Sequence, residues 1–374
     1  MMAQAVAFAQ APAEARAASA VPPDLAAFLA GLPAWGVSVS AAASYGFKDN
    51  LLLSPVAEER SPFARGNVSF FLWRVPTGQF DFSLLADADR SRYFSGDAVE
   101  HDAKAITLAD AGYRFGEVAK LSLPVTGYYS DRVQDDSESE AERLVSRMKV
   151  TGASVGPTFR WNLHPSWWLE GQALAERKRY EGGGSDGDVG EGSARLAWKP
   201  LARVELRLTA IRRWRDFEQR LQTTAAGREL AGTQLKAAER EGQLRCDVTW
   251  DEAARWKSST RVGARDYRDN GSGYFNFREK KIAHEVEWKG GRWLVAIEAR
   301  AWRLDYAIQT VGFGIDPPPR IKDEFSVELR VERTLGRRWT ALAGYTWERS
   351  RSNDPFASYR MNEGLLGLRW GWEK

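Results

Sequence analysis

The 374-residue sequence predicts an all-β fold: a transmembrane, antiparallel, up-and-down β-barrel of about sixteen strands, with roughly fourteen and eighteen as bounds. Three observations predict it. Apolar and polar residues alternate at period two from Trp35 onward, short and long connections alternate between the predicted strands, and tryptophans cluster beside the short connections. Together they predict a single barrel domain over residues 35–374.

The composition excludes a membrane protein built from helices. Hydrophobic residues make up 43% of the chain, charged residues make up 28%, and the mean hydropathy is −0.46, so no segment suits a membrane-spanning helix. A barrel strand needs only every second residue to be apolar, because the others face a wet lumen. The 53 basic and 50 acidic residues balance too closely for a nucleic-acid-binding surface, so we expect no nucleic-acid partner.

Residues 1–34 precede the predicted barrel. They are rich in alanine and carry AFAQ at 7–10, which is typical of the end of a secretory signal peptide, although no basic region or long apolar stretch comes before it. The segment is therefore either the remnant of a signal peptide or a disordered N-terminal extension, in which Pro22 and Pro23 are ordinary linker residues.

The alternation is clearest in five segments. In FSVELRVE at 325–332 the apolar residues Phe325, Val327, Leu329 and Val331 share one face, and the charged residues share the other face with Ser326. The same pattern recurs at 80–88, 204–210, 244–250 and 293–301. Each segment therefore predicts a strand with one apolar and one polar face.

Connection lengths distinguish a membrane barrel from a soluble sandwich. Short connections are predicted at 74–79, 115–118, 162–167, 199–203, 251–255, 289–292 and 335–338, and long polar ones at 48–64, 93–102, 131–143, 181–190, 218–239, 268–273, 309–322 and 351–358. Tight periplasmic turns and long extracellular loops are the outer-membrane pattern, with both termini in the periplasm. The strand pattern is weakest at 103–115 and 144–161.

Tryptophans cluster at the short connections and at the C-terminus, where one membrane interface is expected. The predicted interface residues are Trp73, Trp167, Trp198, Trp250, Trp288, Trp293, Trp339 and Trp370, joined by Trp35, Trp161, Trp256 and Trp372.

Two segments carry a family resemblance. YGFKDNLLLSP at 45–55 and ERSRSNDPFASYRMNEGLLGLRW at 348–370 resemble the opening and closing segments of uncharacterised, porin-like outer-membrane β-barrel proteins of Gram-negative bacteria. The resemblance implies contact with outer-membrane lipid and lipopolysaccharide, and insertion by the barrel-assembly machinery. The chain departs from that pattern by ending in WGWEK, with Trp372 two residues before the C-terminus, where an aromatic residue is usual.

The polar strand faces predict a charged lumen. Its predicted arginines are Arg195, Arg203, Arg207, Arg245, Arg261, Arg265, Arg300, Arg330 and Arg369, and its predicted carboxylates include Asp81, Glu170, Glu205, Asp247, Glu287, Glu298, Glu328 and Glu332. One interpretation is a wall of mutually satisfied ion pairs. The other is a pore whose arginines favour anions.

Candidate catalytic and metal-binding groups have ordinary explanations. His101 and Asp102 fall in a predicted loop, His164 and Ser166 in a predicted turn, and His284 on a lipid-facing strand surface. The acidic stretch at 131–142 lacks the ligand spacing of a calcium loop, and Cys246 matches no metal or thiol pattern. The sequence thus predicts no enzyme, no metal and no cofactor.

Two long connections and the function stay open at this stage. Residues 218–239 fit either an inward constriction with a short helix or strand extensions with an exposed tip, and residues 309–322 fit a stiff lid. We expect a porin-like channel that passes small polar or anionic solutes. The alternatives are an exit conduit for an acidic exopolysaccharide or other secreted product, and a plugged structural barrel. The oligomeric state is open, with the Ala-rich face at 37–43 a candidate contact.

Overall fold

The computed structural model describes residues 35–374 except 57, 75–77, 96–97, 136–144, 182–185 and 313. The predicted N-terminal segment 1–34 and most of the acidic stretch at 131–142 lie outside the described residues. The strands are β1 (Trp35–Lys48), β2 (Ser61–Arg74), β3 (Phe80–Tyr93), β4 (His101–Phe115), β5 (Ala119–Asp135), β6 (Val145–Val155), β7 (Thr158–His164), β8 (Trp167–Tyr180), β9 (Gly187–Leu201), β10 (Val204–Phe217), β11 (Lys236–Thr249), β12 (Trp256–Asp269), β13 (Phe277–Gly290), β14 (Trp293–Thr310), β15 (Pro319–Thr334), β16 (Trp339–Ser352) and β17 (Tyr359–Glu373), with a 3₁₀ turn at Pro355–Ala357.

Apart from β6 and β7, which do not pair with each other, every strand pairs antiparallel with its neighbours along the chain. β1 also pairs with β17, so the sheet closes on itself. Both β6 and β7 lie between β5 and β8, which makes them two halves of one interrupted strand. The barrel therefore has sixteen strands, and the predicted fold class and strand count are confirmed.

The interruption between β6 and β7 falls at Gly156 and Pro157, inside the segment where the alternation was weakest. Proline has no N–H to give to a strand pair, and Pro157 stands at the break. The backbone around the break stays bonded: the Gly156 N–H donates to the Pro124 carbonyl at 3.1 Å, and the Ala173 N–H donates to the Pro157 carbonyl at 3.1 Å.

The seven short connections all lie at one end of the barrel, the turn end, and the long connections lie at the other, the loop end. In the turn after β11 the Asp251 carboxylate accepts hydrogen bonds from Arg255 Nε at 2.9 Å and from the Trp256 N–H at 3.0 Å. These bonds, led by the one from Arg255, lower the pKa of Asp251.

The structure decides the form of two long connections. β14 and β15 continue to Thr310 and Pro319, which pair, so the predicted lid at 309–322 shrinks to a short link with Ile315 fully exposed. Residues 218–235 contain no helix. Thr223 and Glu229 form an isolated β-bridge, and residues 225–232 form an exposed tip. In β14 and β15 each added residue pair satisfies backbone hydrogen bonds, which shortens the link between them. The connection at 218–235 has the exposed tip of one expected form and not the short helix of the other.

The strand register defines two faces. Leu196, Leu208, Leu244, Val262 and Ile282 stand directly opposite one another in successive strands β9 to β13, and each is between 37% and 58% exposed. A continuous exposed apolar row is unfavourable in water and is what the outer face of a membrane barrel needs. We call this face the outward face. It is the surface that contacts lipid when the barrel spans a membrane. No helix of the described chain is both long and apolar enough to cross a membrane.

Tryptophans ring the outward face at the turn end. Trp167 stacks on Trp198 with ring centroids 5.2 Å apart, Trp256 lies 6.1 Å from Trp288, and Trp339 stands opposite Trp370. Trp293 opens β14 on the same face, and Trp250 is exposed in the adjoining turn.

Trp73 departs from the predicted ring. It faces inward, because it stands opposite Gly36 and stacks on Phe71 at 5.0 Å, and a Cβ at Gly36 would lie 2.3 Å from its ring. The segment FFLW at 70–73 is apolar throughout, so its sequence does not reveal which residues face the lipid.

The closing seam between β1 and β17 is tightly packed at its glycines. A Cβ at Gly46 would lie 2.3 Å from the Gly364 carbonyl oxygen and 2.6 Å from the Phe63 ring. The seam extends to the last residue, because the Val37 and Lys374 backbones exchange two hydrogen bonds of 2.9 Å. The final two residues therefore belong to the closing strand pair rather than extending past it.

We expect Gly46→Val to impair barrel closure, because the clash involves backbone of the partner strand, which cannot move without opening the seam. The yield of the compact, heat-modifiable form in unboiled gel samples should fall several-fold. Gly66→Val is the matched control, since a Cβ at Gly66 would meet no atom within 4 Å. Equal folding of the two variants would contradict the seam packing described above.

Candidate functional site

The inward face of the barrel carries most of the charges predicted for the lumen. The strand register places these residues there: Arg195, Arg207, Arg245, Arg261, Arg265, Arg300, Arg330 and Arg369, with Asp81, Glu170, Glu205, Asp247, Glu287, Glu298, Glu328 and Glu332. Arg203 differs from the prediction. It lies in the turn between β9 and β10, where its guanidinium pairs with Glu252 at 2.9 Å, because β9 already ends at Leu201.

Four arginines form one cross-strand row, which we call the arginine ladder. Arg207 on β10 stands opposite Arg245 on β11, which stands opposite Arg261 on β12. The row continues through Ala283 on β13 to Arg300 on β14. Like charges directly opposite each other in neighbouring strands repel. The row therefore needs nearby carboxylates.

A second row, the carboxylate ladder, runs beside the first, two residues nearer the turn end. It consists of Glu205, Asp247, Glu285, Glu298 and Glu328. The two ladders are cross-linked by ion pairs: Arg245 Nε lies 2.9 Å from Asp247, Arg261 lies 2.9 Å from Glu298, and Arg300 lies 2.5 Å from Glu298. Arg207 pairs with Glu205. The arginine repulsion is thus offset within the wall.

The ladders remain in contact with water. The side chains of Arg245 and Arg261 are 36% and 40% exposed, so the ion pairs lie on the lumen wall rather than in a packed core. Hydrated pairs of this kind contribute little to stability and leave their charges available to a passing ion. Glu285 and Glu328 have no cation within ion-pair distance in the described part of the chain.

The opposite wall, on β2 to β5, is richer in carboxylates and apolar groups. Asp87 accepts hydrogen bonds from Asn67 and Ser69, and Asp89 pairs with Lys104 at 2.9 Å. Leu85 and Leu108 stand opposite each other on the same face.

A dry ion cluster lies at the loop end of β10 to β13. Glu239 accepts from Arg213 at 2.9 Å and pairs with Arg215 at 2.8 Å, while Arg265 lies 2.5 Å from Glu279. Arg265 was predicted to line the lumen, and it does face inward. It is nevertheless almost fully buried beneath the Phe277 ring, 5.2 Å away, so its position is structural.

Aromatic and aliphatic side chains cover the lumen wall at the loop end. One cluster includes the aromatic rings of Tyr267, Phe277 and Tyr306, which lie near the loop ends of their strands. The other packs Leu51 and Leu53, from the connection after β1, against Phe63 and Tyr93. Inward-folded connections therefore narrow the mouth of the barrel on two sides.

The sequence missed the partners that make these clusters. Glu285 and Glu279 lie in FREKKIAHEVEWKG, where alternation puts every charged residue but Arg278 and Lys280 on the inward face with Phe277. Arg213 and Arg215 show the same alternation in IRRWRDF. In both segments these four charged residues alternate with the apolar outward residues, so the alternation alone predicts that they face the lumen.

The histidines do not assemble a catalytic site. His101 and Asp102 are consecutive in β4 and lie on opposite faces: His101 is outward near Asp131, at 3.5 Å, while Asp102 accepts from the inward Tyr93 hydroxyl at 2.7 Å. His164 and Ser166 share a 2.8 Å hydrogen bond in a turn, and His284 contacts Thr260 on the outward face. Within the described residues, no three metal-binding side chains converge.

Comparison with solved structures finds barrels of similar extent. OccAB1 of Acinetobacter baumannii shares 10% identity, with 91% of this chain and 96% of that one covered and a TM-score of 0.47. OmpT of Vibrio cholerae shares 8% (91% and 99% covered, TM-score 0.45), and OpdO of Pseudomonas aeruginosa shares 14% (91% and 97%, TM-score 0.43). No family model and no curated protein matches the sequence. What establishes the fold is the closed strand pairing of the chain itself.

We expect Glu279→Gln to destabilise the barrel, because Arg265 would keep its buried charge and lose its nearest carboxylate. Removing one partner of a buried ion pair costs about 3–5 kcal/mol. The measurement is the urea midpoint of unfolding in detergent, followed by tryptophan fluorescence. Glu252→Gln, which removes the exposed partner of Arg203, should leave that midpoint nearly unchanged. If both variants unfold at the same midpoint, water reaches the cluster.

Proposed function

We propose that this chain is a porin-like channel of the bacterial outer membrane that passes small polar solutes by diffusion. The observation that carries the proposal is the pair of water-exposed ladders on the inner wall of a closed, membrane-spanning barrel. A wall of charged groups that are paired but hydrated lowers the barrier for polar solutes without holding them tightly. The turn end then faces the periplasm and the loop end the outside.

The ladders argue for weak selection by charge. The sequence predicted an anion channel because of its many lumen arginines. In the structure, four ladder arginines stand beside five carboxylates, and two of these carboxylates lack an ion-pair partner in the described chain. The rows are two residues apart along the strands, about 7 Å. Neutral polar solutes, and solutes that carry both charges, suit such a wall better than simple anions.

A plugged structural barrel is the second candidate. The inward-folded Leu51 and Leu53, and the buried aromatic cluster around Tyr267, are the observations that favour it, because they close part of the mouth. An exit conduit for an acidic polysaccharide remains a third. It requires an arginine surplus along the lumen, which the carboxylate ladder offsets.

Single-channel recording in planar bilayers tests the proposal directly. We expect stable conductance steps and, under a salt gradient, a reversal potential close to zero. Insertion without conductance would overturn the channel and favour the plugged barrel. Steps that are blocked from one side by an acidic oligosaccharide, and not by a neutral one of equal length, would favour the conduit.

The selectivity of the channel should follow the ladders. Glu285→Gln combined with Glu328→Gln removes two unpaired carboxylates, so the reversal potential should move toward the chloride equilibrium potential. Arg245→Gln combined with Arg261→Gln should move it toward the cation potential. Arg203→Gln, in the turn, is the control and should leave it unchanged. A reversal potential insensitive to both double variants would show that solutes do not pass the ladders.

A further inference from the structure

A collar of basic side chains surrounds the outward face near the loop end. On β8, β14 and β16 it begins ten residues along the strand from a turn-end tryptophan: Arg177 follows Trp167, Arg303 follows Trp293, and Arg349 follows Trp339. Ten residues of tilted strand rise about 25 Å along the membrane normal. The collar therefore lies at the second membrane interface, opposite the tryptophan ring.

The collar has more cations than the described strand carboxylates neutralise. The outward strand carboxylates of the described chain each have a cation partner within 4 Å: Asp131 with Arg147, Asp188 with Arg177, Asp216 with Lys236, Asp266 with Arg268, and Asp305 and Asp323 with Arg303. In the same described strands, no carboxylate lies within ion-pair distance of Arg90, Arg92, Arg179, Arg212, Arg240, Lys280, Arg349, Arg351 or Arg360. The outward face thus attracts anions.

Arg212 and Arg240 concentrate this excess at one place. They stand directly opposite each other on β10 and β11, both exposed, and Arg212 also lies over the Trp214 ring at 5.2 Å. A like-charge pair in this position is destabilising unless an anion bridges it. Two guanidinium groups on adjacent strands are well placed to hold one phosphate through several charge-assisted hydrogen bonds.

A groove of about 810 Å³ runs along the outward surface from these two arginines toward the membrane centre. Its floor is formed by small outward residues of β8 to β11: Gly171, Gly192, Ala194, Ala210 and Gly242. The surface therefore combines a dibasic head position with an apolar channel beneath it. That combination fits an amphiphile with a phosphorylated head and an acyl chain.

We infer that this groove binds lipid A, the phosphorylated and acylated anchor of lipopolysaccharide, with Arg212 and Arg240 on a phosphate and an acyl chain along the glycines and alanines. The inference rests on the proposed function, because it requires the loop end to lie in the outer leaflet. A second copy of this chain is a poorer occupant, since its outward strand carboxylates are already paired and offer no anion to the collar.

Native mass spectrometry of the refolded protein in detergent tests the site, with three added lipids: diphosphoryl lipid A, lipid A stripped of its phosphates, and phosphatidylglycerol. We expect the wild type to retain diphosphoryl lipid A. Arg212→Gln combined with Arg240→Gln should weaken retention at least tenfold, and the phosphate-free lipid should bind the wild type as weakly. Gly192→Leu should also weaken retention without altering charge, because a Cβ there meets no atom within 4 Å and the added chain fills the groove.

The matched control is Arg203→Gln combined with Arg255→Gln, which removes two exposed arginines from the turn end and should bind as the wild type does. Equal retention by the wild type and the Arg212/Arg240 variant would overturn the site. So would equal retention of phosphatidylglycerol, or a lipid-free oligomer that Gly192→Leu dissociates, which would make the groove a protomer interface. Measuring the conductance of each variant separates the lipid A site from the proposed channel. A variant that conducts but no longer retains lipid A supports the site. A protein that retains lipid A but never conducts supports the site and contradicts the channel.

Discussion

Closure of the strand ladder is the constraint on which the rest of the structure depends. In a membrane every backbone N–H and C=O needs a partner within the protein, so an open sheet edge is not tolerated. The pairing of β1 with β17 removes the last edge and extends to the final residue of the chain. Small residues such as Gly46 and Gly367 permit this seam, because a Cβ at either would collide with the partner strand's backbone. Once the sheet is closed, each strand has an inside and an outside.

The inside and the outside treat charge in different ways. In the lumen, rows of arginines run beside rows of carboxylates, and each arginine of the ladder has an anionic partner two residues along its strand or two strands away. On the outward collar, the described strand carboxylates are fewer than the cations, and each of them has a cation partner. The same residue type, arginine, therefore serves a balanced polar wall on one face and an unbalanced anion-attracting rim on the other.

Burial separates two kinds of ion pair within the lumen. Those of the ladders are partly exposed, so water screens them and each pair contributes little to stability. Those around Glu239 and Arg265 lie under aromatic rings at the loop end, where an ion without its partner is costly. The barrel thus combines a wet middle section with a rigid, partly closed mouth, and the width of the passage depends on how the connections after β1 and β10 pack.

The architecture of the barrel follows from local patterns in the amino-acid sequence. Period-two alternation gave the strand faces, and the alternation of short and long connections gave sixteen strands, because both signals are local and repeat many times. The sequence was uninformative where the local signal fails: FFLW at 70–73 has no alternation, which left the inward position of Trp73 unseen, and Pro157 interrupts a strand without ending it. The pairing of the charged residues depends on the fold. Cross-strand register places Arg207, Arg245 and Arg261 in one row, and the same register leaves Arg212 beside Arg240; residues far apart in the chain become neighbours only when the strands pair.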